Sequence, residues 1–294
     1  MTDLVAIILV NYKGVEDTLE CVNSLLNVQY NNYAIIIIDN GSFDIDRLKD
    51  SLQNKANIYL FSTKENIGFA AACNIGIEFS KGLGADFVLL LNNDTIVEPD
   101  FLLPALTMVK RENTGIVIGK ILFYEIPHYI CFGGGHMDYL RGVGVHDGCY
   151  CQKDDPLYNI PKIVTNATGC YMLIPKEVLV EVGYMAEDYF LYYEDTDYVL
   201  RVMRAGYNIL YCPESIIYHK VSASTSKRPQ LFNYYYMRNK LLIVHRFFNG
   251  YQRLFVYLYI FYEIIKMFFK DKSGVKVYLR ALKDYKMKIY GNSY

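Results

Sequence analysis

Phe87-Val-Leu-Leu-Leu-Asn-Asn-Asp-Thr95 is the stretch whose reading decides the fold. Five apolar residues, Phe87 to Leu91, run straight into Asn92, Asn93 and Asp94. Periodicity alone fits either a buried strand or a piece of buried helix; the short length and the nearby Gly82, Gly84 and Pro99 favour the strand. In an open α/β sheet, ligands bind in the crevice beyond the carboxyl ends of the strands. An aspartate on such a strand end is placed to hold a cation. Taken alone, Asp94 serves equally well to start a turn or to cap a helix after Pro99.

Working outward, the same pattern of apolar run and polar stop recurs. Leu4–Val10 ends at Asn11-Tyr12, and Ala34–Ile38 ends at Asp39-Asn40-Gly41-Ser42, strong turn chemistry. Ile58–Phe61 is a further strand, followed by Asn66 to Asn74, whose small residues suit a helix lying close on a sheet. Between the first two strands, Leu19, Val22, Leu25 and Leu26 share a helical face. Strands alternating with helix-length segments predict a mostly parallel sheet. Asn11, Asp39 and Asn92 to Asp94 should then converge on one sheet edge, as a nucleotide site requires.

From about Ile116 the spacing predicts short strands with glycine turns, through Gly133-Gly-Gly135 and Gly142-Val-Gly144. Thr168–Ile174 predicts a strand and Pro175 to Val182 a short helix. Tyr189-Phe-Leu-Tyr-Tyr193 leads into Glu194-Asp195-Thr196-Asp197 and a helix that stops at Gly206. Ile209–Tyr211 and Ser215–Tyr218 are predicted as two short strands, the second reaching His219.

Length and composition bound the rest. The 294 residues, 52% of them hydrophobic, suffice for one large α/β domain with an extension or for two small domains, and exclude general disorder. Leu4 to Val10 is too short and lacks the basic flank of a secretory signal. Seven irregularly spaced cysteines without paired C-x-x-C knuckles suggest reduced thiols in a cytoplasmic protein. The net charge of −1 hides an asymmetry: residues 1–226 hold 16 Lys+Arg against 28 Asp+Glu, and residues 227–294 hold 14 against 3. An acidic body with a basic, aromatic tail points to an anionic partner for the tail.

Two adjacent carboxyls, Glu194 and Asp195, follow a mostly aromatic run. Acidic residues in a first turn complement the helix dipole. Apolar surroundings and like charge would also raise one of their pKa values, which suits a general base. His219 at another strand end strengthens a cation site at Asp94, because Mn²⁺ or Mg²⁺ on a diphosphate needs only one or two protein ligands.

In this order the segments resemble the family 2 glycosyltransferases of the GT-A type, above all the bacterial rhamnosyltransferase-like branch. The matching stretches are Val5–Tyr12, Ile38–Ser42, Glu65–Asn74, Leu89–Asp94, Ala167-Thr-Gly-Cys170, Tyr189–Asp197, Gly206-Tyr207 and His219 with Ser222. Tyr235-Tyr-Met-Arg-Asn239 is similar to the segment after the catalytic domain in that branch. Each stretch is weak alone; the ordered series is specific.

The resemblance implies an α/β GT-A fold, a mostly parallel central sheet flanked by helices, over residues 1–226, with a helical extension over 227–294. It implies that Asn11 and Tyr12 lie under the nucleotide, that Asp39 accepts from a pyrimidine base, and that Gly68 and Asn74 shape that pocket. Asp94 would stand for the last aspartate of the D-x-D motif and, with His219, hold Mn²⁺ or Mg²⁺ on the donor's phosphates. The first aspartate of that motif is Asn92 here, uncharged but able to bond a ribose or a metal-bound water; Asn93 lies on the same nucleotide-sugar side. Asp195 would be the general base, Glu194 would orient the site, and Thr168 and Gly169 would line the acceptor side. The implied activity is an inverting transfer from a nucleotide-sugar donor to a glycan or lipid-linked acceptor in cell wall or capsule polysaccharide synthesis.

The competing classes are a sugar-nucleotide pyrophosphorylase and a sugar- or lipid-binding scaffold without catalysis. Asn11-Tyr12-Lys13-Gly14 is not the glycine-rich, arginine-bearing loop of the former, and no G-x-G-x-x-G follows strand one for a dehydrogenase. In the tail, Gln252, Tyr259, Glu263, Lys266 and Lys270 share a helical face opposite a broad aromatic side. The clean apolar run Leu254–Tyr262 is too short to span a bilayer. Residues 251–289 are therefore expected to lie on a membrane surface, placing the protein peripherally on the inner face of the plasma membrane, or else to pack on the catalytic domain or a partner subunit, leaving homo-oligomerisation open. No groove-reading motif accompanies the basic residues, which argues against nucleic acid.

Overall fold

In the computed structural model, the described residues are 2–53, 55–221, 229–270 and 272–294. Ser222 and the expected boundary at 226/227 lie outside them, as does the side chain of Lys270.

The N-terminal half alternates strand and helix: β1 (Val5–Asn11), α1 (Val15–Leu25), β2 (Tyr33–Asp39), α2 (Ile45–Leu52), β3 (Ile58–Ser62), α3 (Phe69–Gly82), β4 (Phe87–Asn92) and β5 (Thr95–Val97). β1, β2 and β4 are buried along almost their whole length, as continuous apolar runs between helices must be. β3, β2, β1 and β4 are neighbours in that order and all parallel, so Asn11 pairs with Asp39 and Val10 with Asn92. The polar strand ends therefore do lie side by side. Helix α3 rests tightly on β1: a Cβ on Gly76 would come within 2.7 Å of Ile8 Cγ2. Helix α2 was not anticipated; it is short and buries only Leu48 and Leu52.

After α4 (Leu102–Val109) come β6 (Thr114–Phe123), β7 (Ile130–Phe132), the hairpin β8 (Gly135–Asp138) and β9 (Val143–His146), β10 (Lys162–Val164), β11 (Tyr171–Pro175), α5 (Lys176–Val182), α6 (Glu194–Arg204) and β12 (Asn208–His219). The full sheet order is β10-β12-β6-β11-β4-β1-β2-β3. β11 runs antiparallel to β4 and places Tyr171 opposite Leu91, so the residues before β11 reach the carboxyl end of β4. Two expectations fail here. β6 is a ten-residue strand instead of short pieces. β12 is one continuous strand instead of two, because an irregularity between Cys212 and Ile216 absorbs Pro213 without ending the pairing to β6.

The tail forms α7 (Pro229–Phe247), α8 (Gly250–Lys270) and α9 (Lys272–Lys286). These helices share a second apolar core with the main body: Tyr234, Tyr235, Ile243 and Val256 pack with Met137, Tyr189, Tyr193 and Leu200. The inward face of α8 is mixed: Val256 and Ile260 are buried in that core, and Glu263 pairs with the buried Lys240 of α7 at 2.9 Å. The aromatic side of α8 faces out. No helix among the described residues is long and apolar enough to cross a membrane.

Candidate active site

The ends of β1 and β2 form a tight polar network. The Asn11 amide donates to Asp39 Oδ1 at 2.6 Å, and the Ser42 backbone N–H donates to Asp39 Oδ2 at 3.0 Å. Asp39 is buried, yet each oxygen keeps a lone pair for a further donor. Asn11 Oδ1 accepts from the Gly14 N–H and the Thr18 hydroxyl, both at 3.1 Å, and fixes the entry to α1. Asn93 joins the same network through Thr18 Oγ1 at 2.8 Å. Tyr12 is exposed beside it, with the Lys13 ammonium 5.0 Å from the ring centroid.

Asp94 lies in the turn between β4 and β5, so the helix-cap alternative does not apply. β5 pairs antiparallel with β12, setting Thr95 opposite His219, and this carries two residues distant in sequence to 3.1 Å between Asp94 Oδ1 and His219 Nε2. Burial opposes charge on the imidazole, but Cys170, the Asp94 hydrogen bond and Cys131 together raise its pKa. One carboxylate and one imidazole fit a divalent cation whose remaining ligands are diphosphate oxygens and water. They do not form a closed cage: no group of three or more metal-binding side chains converges among the described residues.

Asp195 begins α6, on the far side of β4. Its Oδ2 accepts the Gly169 N–H at 3.0 Å and its Oδ1 the Thr196 N–H at 2.6 Å, so the carboxylate is held against the turn that leads into β11. A Cβ on Gly169 would sit 3.3 Å from Phe69 and 3.7 Å from the Asp195 Cβ, so this approach leaves little room for a side chain. Thr168 Oγ1 accepts the Cys170 N–H at 3.3 Å. Glu194 is only 6% exposed. Burial, and then the Asp195 charge, push its carboxyl up to about 8.

Gly68 and Asn74 make contacts of a different kind. Gly68 (φ +93°) opens α3 with its Cβ position 2.8 Å from the Phe190 carbonyl, so it lets the loop before α6 close on α3. Asn74 lies farther along α3, where its carboxamide grips Met185 through both backbone groups (3.0 Å each) and meets Glu187 at 2.9 Å. Sequence reasoning passed over two residues. Asn40 ties Asn66, Ile67 and Gly68 to the end of β2, and its place in Asp39-Asn-Gly-Ser42 was the available signal. His146, at the end of β9, is exposed but lies close enough to Asp195 and His219 to feel their charges. Nothing local in the sequence marks it.

The fold is that of the GT-A class. The same architecture occurs in the crystal structure of GalNAc-T7 with UDP, GalNAc and Mn²⁺, at a TM-score of 0.68 and 15% identity over 97% of this chain and 56% of that one. The chain belongs to glycosyl transferase family 2, whose sequence profile matches residues 6–183. It is 23% identical over 228 residues to the dTDP-rhamnosyl transferase RfbF of Shigella flexneri, covering 74% of this chain and 72% of that protein. It is 24% identical over 247 residues to the N-acetylglucosaminyl-diphospho-decaprenol L-rhamnosyltransferase of Mycobacterium tuberculosis, covering 78% and 80%. An uncharacterized Sinorhizobium fredii protein, y4gI, is 27% identical over 238 residues, 76% of this chain, but the match spans only 25% of its length.

Proposed function

We propose that the chain transfers a sugar from a nucleoside diphosphate donor to a hydroxyl of a glycan or lipid-linked acceptor, with inversion, in cell wall or capsule polysaccharide synthesis. The observation that carries this is the position of Asp195, pinned by the Gly169 N–H where β11 meets the end of β4, the edge that also carries Asp39 and the Asp94–His219 pair. The two relatives named as rhamnosyltransferases support a rhamnosyl donor.

In this scheme Asn11 and Asp39 hold the base, and Asp94 and His219 hold a divalent cation. When bound, the cation offsets charge on the departing diphosphate. The Asp195 carboxylate takes the proton of the acceptor hydroxyl, whose oxygen bonds to the anomeric carbon from the face opposite the phosphate. The bond from that carbon to the phosphate oxygen breaks, and its electron pair leaves with the nucleoside diphosphate. Glu194, with its carboxyl raised to about 8, is mostly protonated at neutral pH and adds little negative charge beside the base. The outward aromatic side of α8 rests on an anionic membrane surface on the cytoplasmic side, near a lipid-linked acceptor.

The test is nucleoside diphosphate release from a panel of UDP-, GDP- and dTDP-sugars, with Mn²⁺ or Mg²⁺ and with EDTA. Asp195→Asn and Asp94→Ala are expected to lose transfer while keeping the wild-type circular dichroism spectrum, and EDTA to suppress the wild type. Turnover by Asp195→Asn close to that of the wild type rejects the base. Donor binding without turnover by the wild type favours a non-catalytic scaffold.

A further inference from the structure

We propose that Asn239, fixed by Arg238, is a positioning residue that sets the loop Tyr189–Tyr193 and through it the Asp195 carboxylate. The inference rests on Asp195 as the base. It adds that the base is held in place from the tail helices, by residues that never approach the substrate.

Phe190, Tyr192 and Tyr193 have φ values of 61°, 68° and 73°, a left-handed backbone that side chains with a Cβ rarely adopt. Such a loop turns its carbonyls inward, where they need donors. Asn239 brings two N–H donors to three of them: its Nδ2 lies 2.9 Å from the Tyr189 oxygen and 2.8 Å from those of both Leu191 and Tyr192. Arg238 donates to the Asp188 and Tyr189 carbonyls at 3.1 and 2.8 Å, and its Nε donates to Asn239 Oδ1 at 2.9 Å. A guanidinium has only donors, so this last bond requires the amide oxygen to face Arg238 and the NH₂ to face the loop. Both residues are 0% exposed. The Phe190 carbonyl completes the attachment by accepting the Phe69 N–H of α3 at 3.0 Å. The loop ends directly at Glu194 and Asp195, so its geometry is the geometry of the first turn of α6.

Toward the active site the clamp bonds only the segment before the base, while the Asn11–Asp39 network lies on β1 and β2. Loss of the clamp should therefore appear in kcat and not in nucleotide affinity. A misplacement of about 1 Å costs on the order of a hundredfold in rate.

The chain has no tryptophan, so Tyr192→Trp, whose ring position packs on Phe232, creates a single fluorescent reporter in the loop. In that background Asn239→Ala is expected to red-shift the emission and increase acrylamide quenching. In the otherwise wild-type chain, Asn239→Ala is expected to lower kcat at least tenfold on the sugar-nucleotide panel, with the Kd for dTDP, UDP or GDP plus Mn²⁺ changed less than twofold. If Asn239→Ala does not fold, Ser293→Ala, which removes the Oγ that Arg238 Nη1 meets at 2.6 Å from the surface side, is expected to give the same pattern in milder form. Unchanged emission together with wild-type kcat in the folded variant overturns the proposal. A fall in nucleotide affinity matching the fall in kcat also overturns it, because that marks general loss of structure. Asp195→Asn is measured in parallel: if it stays active, the functional reading fails; if it is dead while Asn239→Ala is unimpaired, only the clamp fails.

Discussion

Glu194 and Asp195 are neighbours in sequence with unlike surroundings. Asp195 is bonded by two backbone N–H groups, whereas Glu194 Oε2 is buried without a hydrogen-bond partner among the described residues. Its folded-state pKa of about 8 lies above the ordinary value of 4.5, so the folded protein binds this proton more tightly than the unfolded chain does. The stabilisation is complete below the unfolded value and is lost as pH rises from about 4.5 through about 8. Melting temperature should accordingly decline across that window in the wild type. The decline should be shallower in Glu194→Gln, which has no proton to lose; parallel curves would show that Glu194 does not titrate there. At this scale much of the site was legible. Asn11, Asp39 and Asp94 each end an apolar run, and the run itself fixes the edge they reach. The partnership of Asp94 with His219 was expected only from the strand end that each residue reaches and from the resemblance, because the contact itself depends on β5 folding back onto β12, a pairing that no local pattern encodes.

Helix α8 shows how an element can be read correctly while the face it packs with is left open. Its polar and aromatic residues were plain in the sequence, but the packed face mixes Val256 and Ile260 with Glu263, which the buried Lys240 needs. The Lys240 ammonium also lies 4.8 and 5.3 Å from the ring centroids of Tyr236 and Tyr259. Removing one partner of a buried pair leaves the other charge uncompensated, at a cost of about 3–5 kcal/mol. Glu263→Ala should approach that loss in urea unfolding, discounted because Glu263 is partly exposed to water. The double change Lys240→Met with Glu263→Leu should recover most of it. If Glu263→Ala is neutral, the pair does not hold α7 to α8. The continuity of β12 was hidden for a different reason: Pro213 reads as a strand breaker, and only the pairing with β6 shows that the irregularity accommodates it.

Across the whole molecule, the tail leaves a long apolar stripe facing outward on α8, including Leu258 at 56% exposure and Phe261 at 62%, and the following helix α9 carries the exposed basic residues Lys276, Arg280 and Lys283. Truncating the tail would not test its role, because the same helices complete the core around Tyr189 and Tyr193. Point changes do so cleanly. Leu258→Ser with Phe261→Ser should abolish co-sedimentation with phosphatidylglycerol vesicles while leaving the melting temperature near that of the wild type. High salt should weaken the wild-type interaction by screening the basic residues of the tail. Binding equal to wild type by the double variant would reject the membrane surface as the partner of α8.

The ties between the loop and the tail also impose an order on biosynthesis. The Gly291 N–H donates to the Asp188 carbonyl at 2.8 Å, and the Gly291 carbonyl accepts from Arg238 at 2.8 Å, so the loop before Asp195 is bonded to residues made long after it. Synthesis runs from the N-terminus, and β1 to β4 can pair as soon as they emerge. The growing chain can thus form its Asn11–Asp39 edge early, whereas the loop before Asp195 gains these bonds only after residue 291 has been made and has left the exit tunnel.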